Sequence, residues 1–399
     1  MARLSQRIEK VHTSPIRRVA GLLDEARARG NIISFGGGTP SLPPPAAFIK
    51  EFTRLMTEHP LRSSGYTGTR GIPELRAAVA ADVKNYGRVD FDPHGEIIIT
   101  TGATEAIFSS LMCLLNPSDE VIITDPTYLG YREMIELAQG RTKPIHVNAE
   151  ADYQPTDEQL KAAVSKRTKA MIILSPDNPT GRIINESFVK TLVDLAIDCD
   201  FWIISDDIYK HIVYEGQHIW VSRFPGAKDH TITVCSFSKE AGIPGMRLGY
   251  TLGPKLAIDS IEKMQQYSTL APESVGQFAL VKFLTRNMKE QYIKKSLTTY
   301  VKKRDFMGQM LRKHLPQAGM IRPAGAYYYF VDLRPYLNKL HQTEEQFAEK
   351  LLIEEGVAVI PGGFFGENGR GHVRMTFVTE PEGRIEWGIE KIARFLNPS

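Results

Sequence analysis

Residues 236–250 read SFSKEAGIPGMRLGY. Two serines and a lysine close an apolar run, and a glycine-punctuated turn then delivers an arginine to the start of another. A plain anion site would use the serines and Arg247 but has no need of Lys239. An aldehyde that also carries a phosphate would use all of them. A lysine amine condenses with a carbonyl, and hydroxyl and guanidinium groups hold a phosphate.

Outward from this stretch, residues 95–250 alternate short apolar runs with helical segments. The runs are EIIIT, EVIITD, KAMIILS, FWIISD, TITVCS and RLGYTLG, with TEAIFSSLMCLL and NESFVKTLVDLAIDCD among the helices between them. Most runs are β-branched and lack clean alternation, as strands buried on both faces do. The pattern predicts an α/β fold with a mainly parallel central sheet covered by helices. Beyond about residue 275, long helical stretches lead to GAYYYFVDL, GVAVIPGGFFG and HVRMTF, read as strands of a second, smaller layer closed by the amphipathic PEGRIEWGIEKIARFL. SPIRRVAGLLDEARARG, residues 14–30, is expected to be a helix, with Ser14 as cap, Pro15 in the first turn and Gly30 as stop. The expected division is a large domain over 46–290 and a small one built from 1–45 and 291–399.

Composition excludes several classes. A net charge of +3 without a sustained basic run argues against a nucleic-acid partner. Cys113, Cys199 and Cys235 are too scattered for a disulfide framework or a zinc site. No apolar run approaches the ~18 residues of a membrane span, and MARLSQRIEK has no apolar signal core. A reduced, cytoplasmic protein is the expectation.

In open α/β sheets, ligands bind beyond the carboxyl ends of the strands. Read in order, those ends carry TTGATEA, DPTYLGY, SPDNPTG, SDDIY and SFSK. Each alone is common; five converging on one crevice are not. SPDNPTG, SDDIY and SFSKEAGIPGMRLGY, in this order and spacing, resemble the fold-type I aminotransferases of class I/II, which use pyridoxal 5'-phosphate. YTGTRGIPELR near the start and HVRMTF near the end extend the resemblance over nearly the whole chain.

The resemblance implies a role for each residue. Lys239 is the Schiff-base lysine and, once displaced, the general base. Asp206 lies beside the pyridine nitrogen and favours its protonated form; the family often has Asp-Glu where this chain has Asp206-Asp207. Tyr209 and Asn178 bond the phenolic oxygen. Gly102, Ala103 and Thr104 open a helix whose free amides favour the phosphate, joined by Ser236, Arg247 and Ser238. Tyr66 matches a tyrosine that reaches the phosphate from the neighbouring subunit, which implies a homodimer with shared sites. Tyr128 stacks on the ring, and Arg374 grips the substrate α-carboxylate with its planar fork, aided by the amide of Gly38. Arg17, in a segment resembling the mobile N-terminal helix of the 2-aminoadipate and kynurenine aminotransferases, is placed to meet a distal carboxylate.

The expected reaction moves an amino group from an L-amino acid of the aromatic, 2-aminoadipate or aspartate type to a 2-oxo acid, with 2-oxoglutarate the expected acceptor, by a ping-pong mechanism. The same Lys, Asp and Arg would equally serve a carbon–sulfur β-lyase on this fold. A non-catalytic regulator that binds pyridoxal phosphate is the alternative from another class; the short extension before IISFGGG leaves it little room for a DNA-binding segment.

Overall fold

A computed structural model describes residues 5–11 and 32–397 of the chain. The N-terminal helix expected over 14–30 lies outside the described residues, as does Arg17.

The short strand β1 (Ile33–Ser34) precedes the strands of the main sheet: β2 (Ile97–Thr100), β3 (Glu120–Asp125), β4 (Arg141–His146), β5 (Thr168–Leu174), β6 (Trp202–Asp206), β7 (Thr231–Ser236) and β8 (Gly249–Leu252). Their order across the sheet is β2-β8-β7-β6-β5-β3-β4. β7, β6, β5, β3 and β4 pair in parallel, whereas β8 runs antiparallel to both β2 and β7. The mainly parallel sheet is therefore as expected.

The unbroken apolar runs have a direct cause: both sheet faces are covered. Ile98 packs in one core cluster with Ala106, Ile107 and Leu111 of the helix Gly102–Leu114. Its neighbours Ile97 and Ile99 point the other way, into a cluster with Leu75 and Val79 of the helix Pro73–Gly87. Successive residues of a strand face opposite sides, so a strand between two helix layers must be apolar throughout.

β4 is absent from the sequence reading. RTKPIH is polar and mostly accessible, and it holds the outer position beyond β3. Edge strands tolerate proline and charge, so this one carries no apolar signature.

A second sheet assembles from β9 (Gly319–Met320), β10 (Tyr328–Asp332), β12 (Ile360–Pro361) and β13 (His372–Thr376), in the antiparallel order β12-β13-β10-β9. β11 (Val357–Ala358) pairs with β1 in parallel. The 27-residue helix Met288–His314 joins the two layers along the chain, and Glu382–Leu396 closes the second.

Asp125, fully buried at the end of β3, clasps the two layers together. It accepts the backbone N–H groups of Glu367 and Asn368, each at 3.2 Å, and Arg132 Nη2 at 2.9 Å. Thr127 N–H reaches Phe365 O at 3.0 Å beside this clasp. Hydrogen bonds to a buried charge are worth about 1.5–3 kcal/mol. Asp125→Ala is therefore expected to lower stability by roughly 2–3 kcal/mol in denaturant unfolding, through two backbone donors left unpaired. Arg132→Ala, which removes a half-exposed partner, should cost less than half of that.

Candidate active site

The strand ends meet around one cavity of about 300 Å³. Its wall includes Ala103 and Thr104 from the helix after β2, Tyr128 from the loop after β3 and Asn178 from the loop after β5. Asp206 ends β6, Ser236 ends β7, and Ser238, Lys239 and Arg247 follow on the turn. The second layer contributes Arg374 and Tyr328, and the glycine loop after β1 contributes Gly36, Gly37 and Gly38. Two larger cavities, about 680 and 800 Å³, run past Tyr86 and His211 along the helix Met288–His314. Size alone would select those; convergent charge and strand-end position select the smaller one.

Each side chain has a local cause for its place. Gly102 adopts φ +78°, and a Cβ there would lie 2.8 Å from Arg247 Nη2. Glycine thus lets the guanidinium sit over the helix N-terminus, where free amides and the dipole favour an anion. Arg247 is itself left-handed at φ +54°, with Nη1 donating to Pro244 O at 3.0 Å. Ser236 caps the short helix Phe237–Glu240 by accepting Ser238 N–H at 3.1 Å. Lys239 Nζ donates to Gly38 O at 2.5 Å. Gly38, whose amide the resemblance assigns to the substrate carboxylate, lines the same cavity. Arg374 is buried; Nη1 donates to Asn178 Oδ1 at 3.0 Å and Nη2 to Gly36 O at 2.6 Å. Its Nε is buried without a hydrogen-bond partner among the described residues.

Electrostatics separate the acid from the cations. Desolvation pushes the Asp206 carboxyl up to about 7, against the Tyr131 hydroxyl and the Ile208 amide that bond it. The charged neighbours acting on it, Asp207 and Asp177, are both negative. Lys239 moves the opposite way, down to about 8, through desolvation first and then the nearby Arg374 and Arg247. At pH 8 about half of Lys239 would carry a free lone pair, against well under ~1% for an ordinary lysine.

Several residues at the site escaped the sequence reading. Tyr131 donates to Asp206 Oδ2 at 2.6 Å, and its spacing of three from Tyr128 in YLGY would have put both rings on one side of a helical turn. Tyr328 shares a 2.8 Å hydroxyl contact with Tyr209, and its ring lies 4.3 Å from the Arg374 guanidinium. Nothing in the run YYY says which of its three rings faces inward until the strand register is set. Phe365 flanks Arg374 at 5.0 Å. Of the residues predicted from sequence, Tyr66 does not line the cavity; it is 91% exposed in the single chain.

The donor set suits a molecule with two anionic ends and a protonated ring nitrogen. Three cationic side chains and the helix N-terminus surround the cavity, while the buried Asp206 carboxyl, bonded by Tyr131 and the Ile208 amide, lies at one side. Pyridoxal phosphate fits that set.

Residues 30–392 match the family Aminotransferase class I and II. The chain belongs to that family and is an aminotransferase, of a class whose enzymes use pyridoxal phosphate. Among particular proteins, it is 33% identical to a probable aspartate/prephenate aminotransferase of Thermus aquaticus, over 99% of this chain and 100% of that one. It is 30% identical to aromatic-amino-acid aminotransferase 2 of Thermococcus litoralis, over 98% of each. A solved Thermus thermophilus aspartate aminotransferase variant complexed with tryptophan superposes with a TM-score of 0.92 at 31% identity, covering 99% of this chain and 100% of that one.

The raised Asp206 carboxyl has a measurable consequence. Its folded value lies above that of the unfolded chain, so the folded form binds the extra proton. Stability should fall as pH rises from about 4 to about 7, and the full penalty persists above. In cofactor-free protein, Asp206→Asn is expected to flatten this decline and to gain roughly 2–4 kcal/mol over wild type at pH 8. Parallel stability profiles from pH 5 to 8 would contradict the assignment.

Proposed function

We propose that the cavity holds pyridoxal phosphate and exchanges amino groups between an L-amino acid and a 2-oxo acid in two successive half-reactions. The observation that carries this reading is the meeting of Lys239, Asp206, Arg247 and Arg374 around one cavity from three separate stretches of chain.

When bound, pyridoxal phosphate supplies an aldehyde for the substrate amine and a ring that accepts electron density from the α-carbon. Lys239 would hold the aldehyde, and its depressed basicity lets the displaced amine take a proton near neutral pH. Lys239 would carry that proton from the substrate α-carbon to the former aldehyde carbon on the other side of the amine nitrogen. Asp206 would keep the ring nitrogen protonated, since a cation there relieves the cost of a buried carboxylate. Tyr209 and Asn178 would bond the phenolic oxygen, with Tyr328 orienting Tyr209. Arg247, Ser236, Ser238 and the amides of Gly102, Ala103 and Thr104 would hold the phosphate. Tyr128 would cover the ring. Arg374, pinned by Asn178 and Gly36 and flanked by Tyr328, offers its fork to the α-carboxylate, which decides which α-carbon bond is exposed to Lys239.

The donor class we infer is aspartate-type or aromatic, with 2-oxoglutarate as acceptor; the names of the relatives support those donors. We also propose a homodimer in which Tyr66 of each chain completes the other's phosphate site. Leu61, Tyr66 and Tyr267, each 90% or 91% exposed here, supply an apolar surface for that contact. The division into 46–290 and 1–45 with 291–399 is supported by the two sheets and the long helix between them. Among the described residues no helix is long and apolar enough to cross a membrane, and the three cysteines are free. The free thiols support a reducing, cytoplasmic setting.

The test is the visible spectrum of the protein with pyridoxal phosphate during addition of single amino acids. The band is expected to bleach with aspartate or an aromatic amino acid and to return with 2-oxoglutarate. Pyruvate and ammonia released from cystine without any acceptor would indicate a β-lyase instead. Lys239→Ala should abolish turnover while retaining weak cofactor binding; near-wild-type turnover by this variant would remove Lys239 from the mechanism.

A further inference from the structure

Behind the cavity lies a group of buried charges that the proposed chemistry does not use. Lys210 and Glu240 are 1% and 2% exposed and form an ion pair at 2.6 Å. Each directly follows a cavity residue: Lys210 follows Tyr209, and Glu240 follows Lys239. The two turns leave β6 and β7, parallel neighbours with Asp206 opposite Val234. On each turn, one side chain enters the cavity and the next points away from it, into the pair.

We propose that the Lys210–Glu240 ion pair is a positioning device that fixes the Tyr209 turn against the Lys239 turn and so sets the distance between their cavity-facing side chains. The proposal rests on the reading of Tyr209 and Lys239 as cofactor residues.

The surroundings make this pair a rigid link. Tyr86 donates from its hydroxyl to Lys210 O at 3.1 Å, and its ring centroid lies 4.3 Å from that of His211. His211 Nε2 is 3.3 Å from Glu240 Oε2, and the Lys210 ammonium is 5.2 Å from the Tyr250 ring centroid. The neighbouring pair Lys289–Asp82 closes the group on the side of the long helix. Desolvation opposes charge on Lys210, Glu240, His211 and Asp82. For Lys210 it is outweighed by the attraction and hydrogen bond of Glu240, so the ammonium is held above its ordinary range. For Glu240 it is outweighed by Lys210 and His211, so the carboxylate is held below its own. His211, by contrast, is pushed down by its burial and stays neutral. Both partners of the pair therefore remain charged across the working pH range. A packed apolar pair of similar volume is often at least as stable. What the charged pair adds is a fixed nitrogen–oxygen distance between the two turns. On the cavity side, Lys239 Nζ lies 5.8 Å from the Tyr209 ring centroid.

The test compares wild type, Glu240→Gln, Lys210→Arg and the double variant Lys210→Met/Glu240→Leu, each saturated with pyridoxal phosphate. Two quantities are read: the pH midpoint of the visible band, and kcat separately from KM for the amino acid. Glu240→Gln and the apolar double variant are expected to shift the midpoint by more than about half a pH unit. Their kcat should fall roughly 10- to 100-fold, while KM, governed by Arg374, changes less than about threefold. Lys210→Arg keeps the ion pair and should restore both readouts to near wild type. If Glu240→Gln unfolds, the double variant, which leaves no unpaired charge, carries the comparison. An unchanged midpoint and kcat in the folded double variant would overturn the proposal and leave the pair a structural role only. A wild type that forms no visible band would instead overturn the cofactor reading itself, and this inference with it.

Discussion

The carboxyl of Asp206 lies at the end of a central strand, stripped of water, and the charges acting on it are negative. Such a group is costly unless something cationic joins it. The rest of the site is arranged around that unmet demand. Tyr131 and the Ile208 amide hold the carboxyl in one orientation. The three cations line the same cavity without pairing to it, which leaves them available for anions. Pyridoxal phosphate would answer Asp206 with its ring nitrogen, Arg247 with its phosphate and Lys239 with its aldehyde, leaving Arg374 for a substrate carboxylate. Binding of such a ligand would return stability that the buried carboxyl costs, a pattern expected where function and stability compete.

The sheet makes this arrangement possible. Parallel strands place all their carboxyl ends on one edge, so residues far apart in sequence arrive together. β8 runs the other way, and its start therefore lies on that same edge: Gly249 pairs with Ser236 and with Thr100. Arg247, just before it, is thereby delivered to the helix N-terminus at Gly102. The second layer brings Arg374 across from the opposite side, with Asp125 clasping the two layers nearby. Charge placement and chain topology are thus two views of one constraint.

Much of this was readable in the sequence because its causes are local. Buried strands between helix layers must be apolar throughout, and the polar segments that follow them mark the crevice beyond their ends. A lysine just after two serines beyond such a strand has few structural reasons to be there. What was not readable depends on geometry set at long range. β4 has the polarity of an edge and hides its strand character. Tyr328 became distinguishable from Tyr327 and Tyr329 only through its antiparallel register with β13. Nothing in the sequence marks Lys210 and Glu240 as partners, because it does not reveal that two turns bury them face to face.

The claim that organises the account is that Lys239 holds the aldehyde of pyridoxal phosphate. Borohydride reduction of the protein with pyridoxal phosphate, followed by peptide mass mapping, tests it directly, since reduction makes the linkage permanent. The account predicts one modified lysine per chain, Lys239, and none when Lys239 is replaced by alanine. Modification spread over surface lysines, or confined to any lysine other than Lys239, would contradict it.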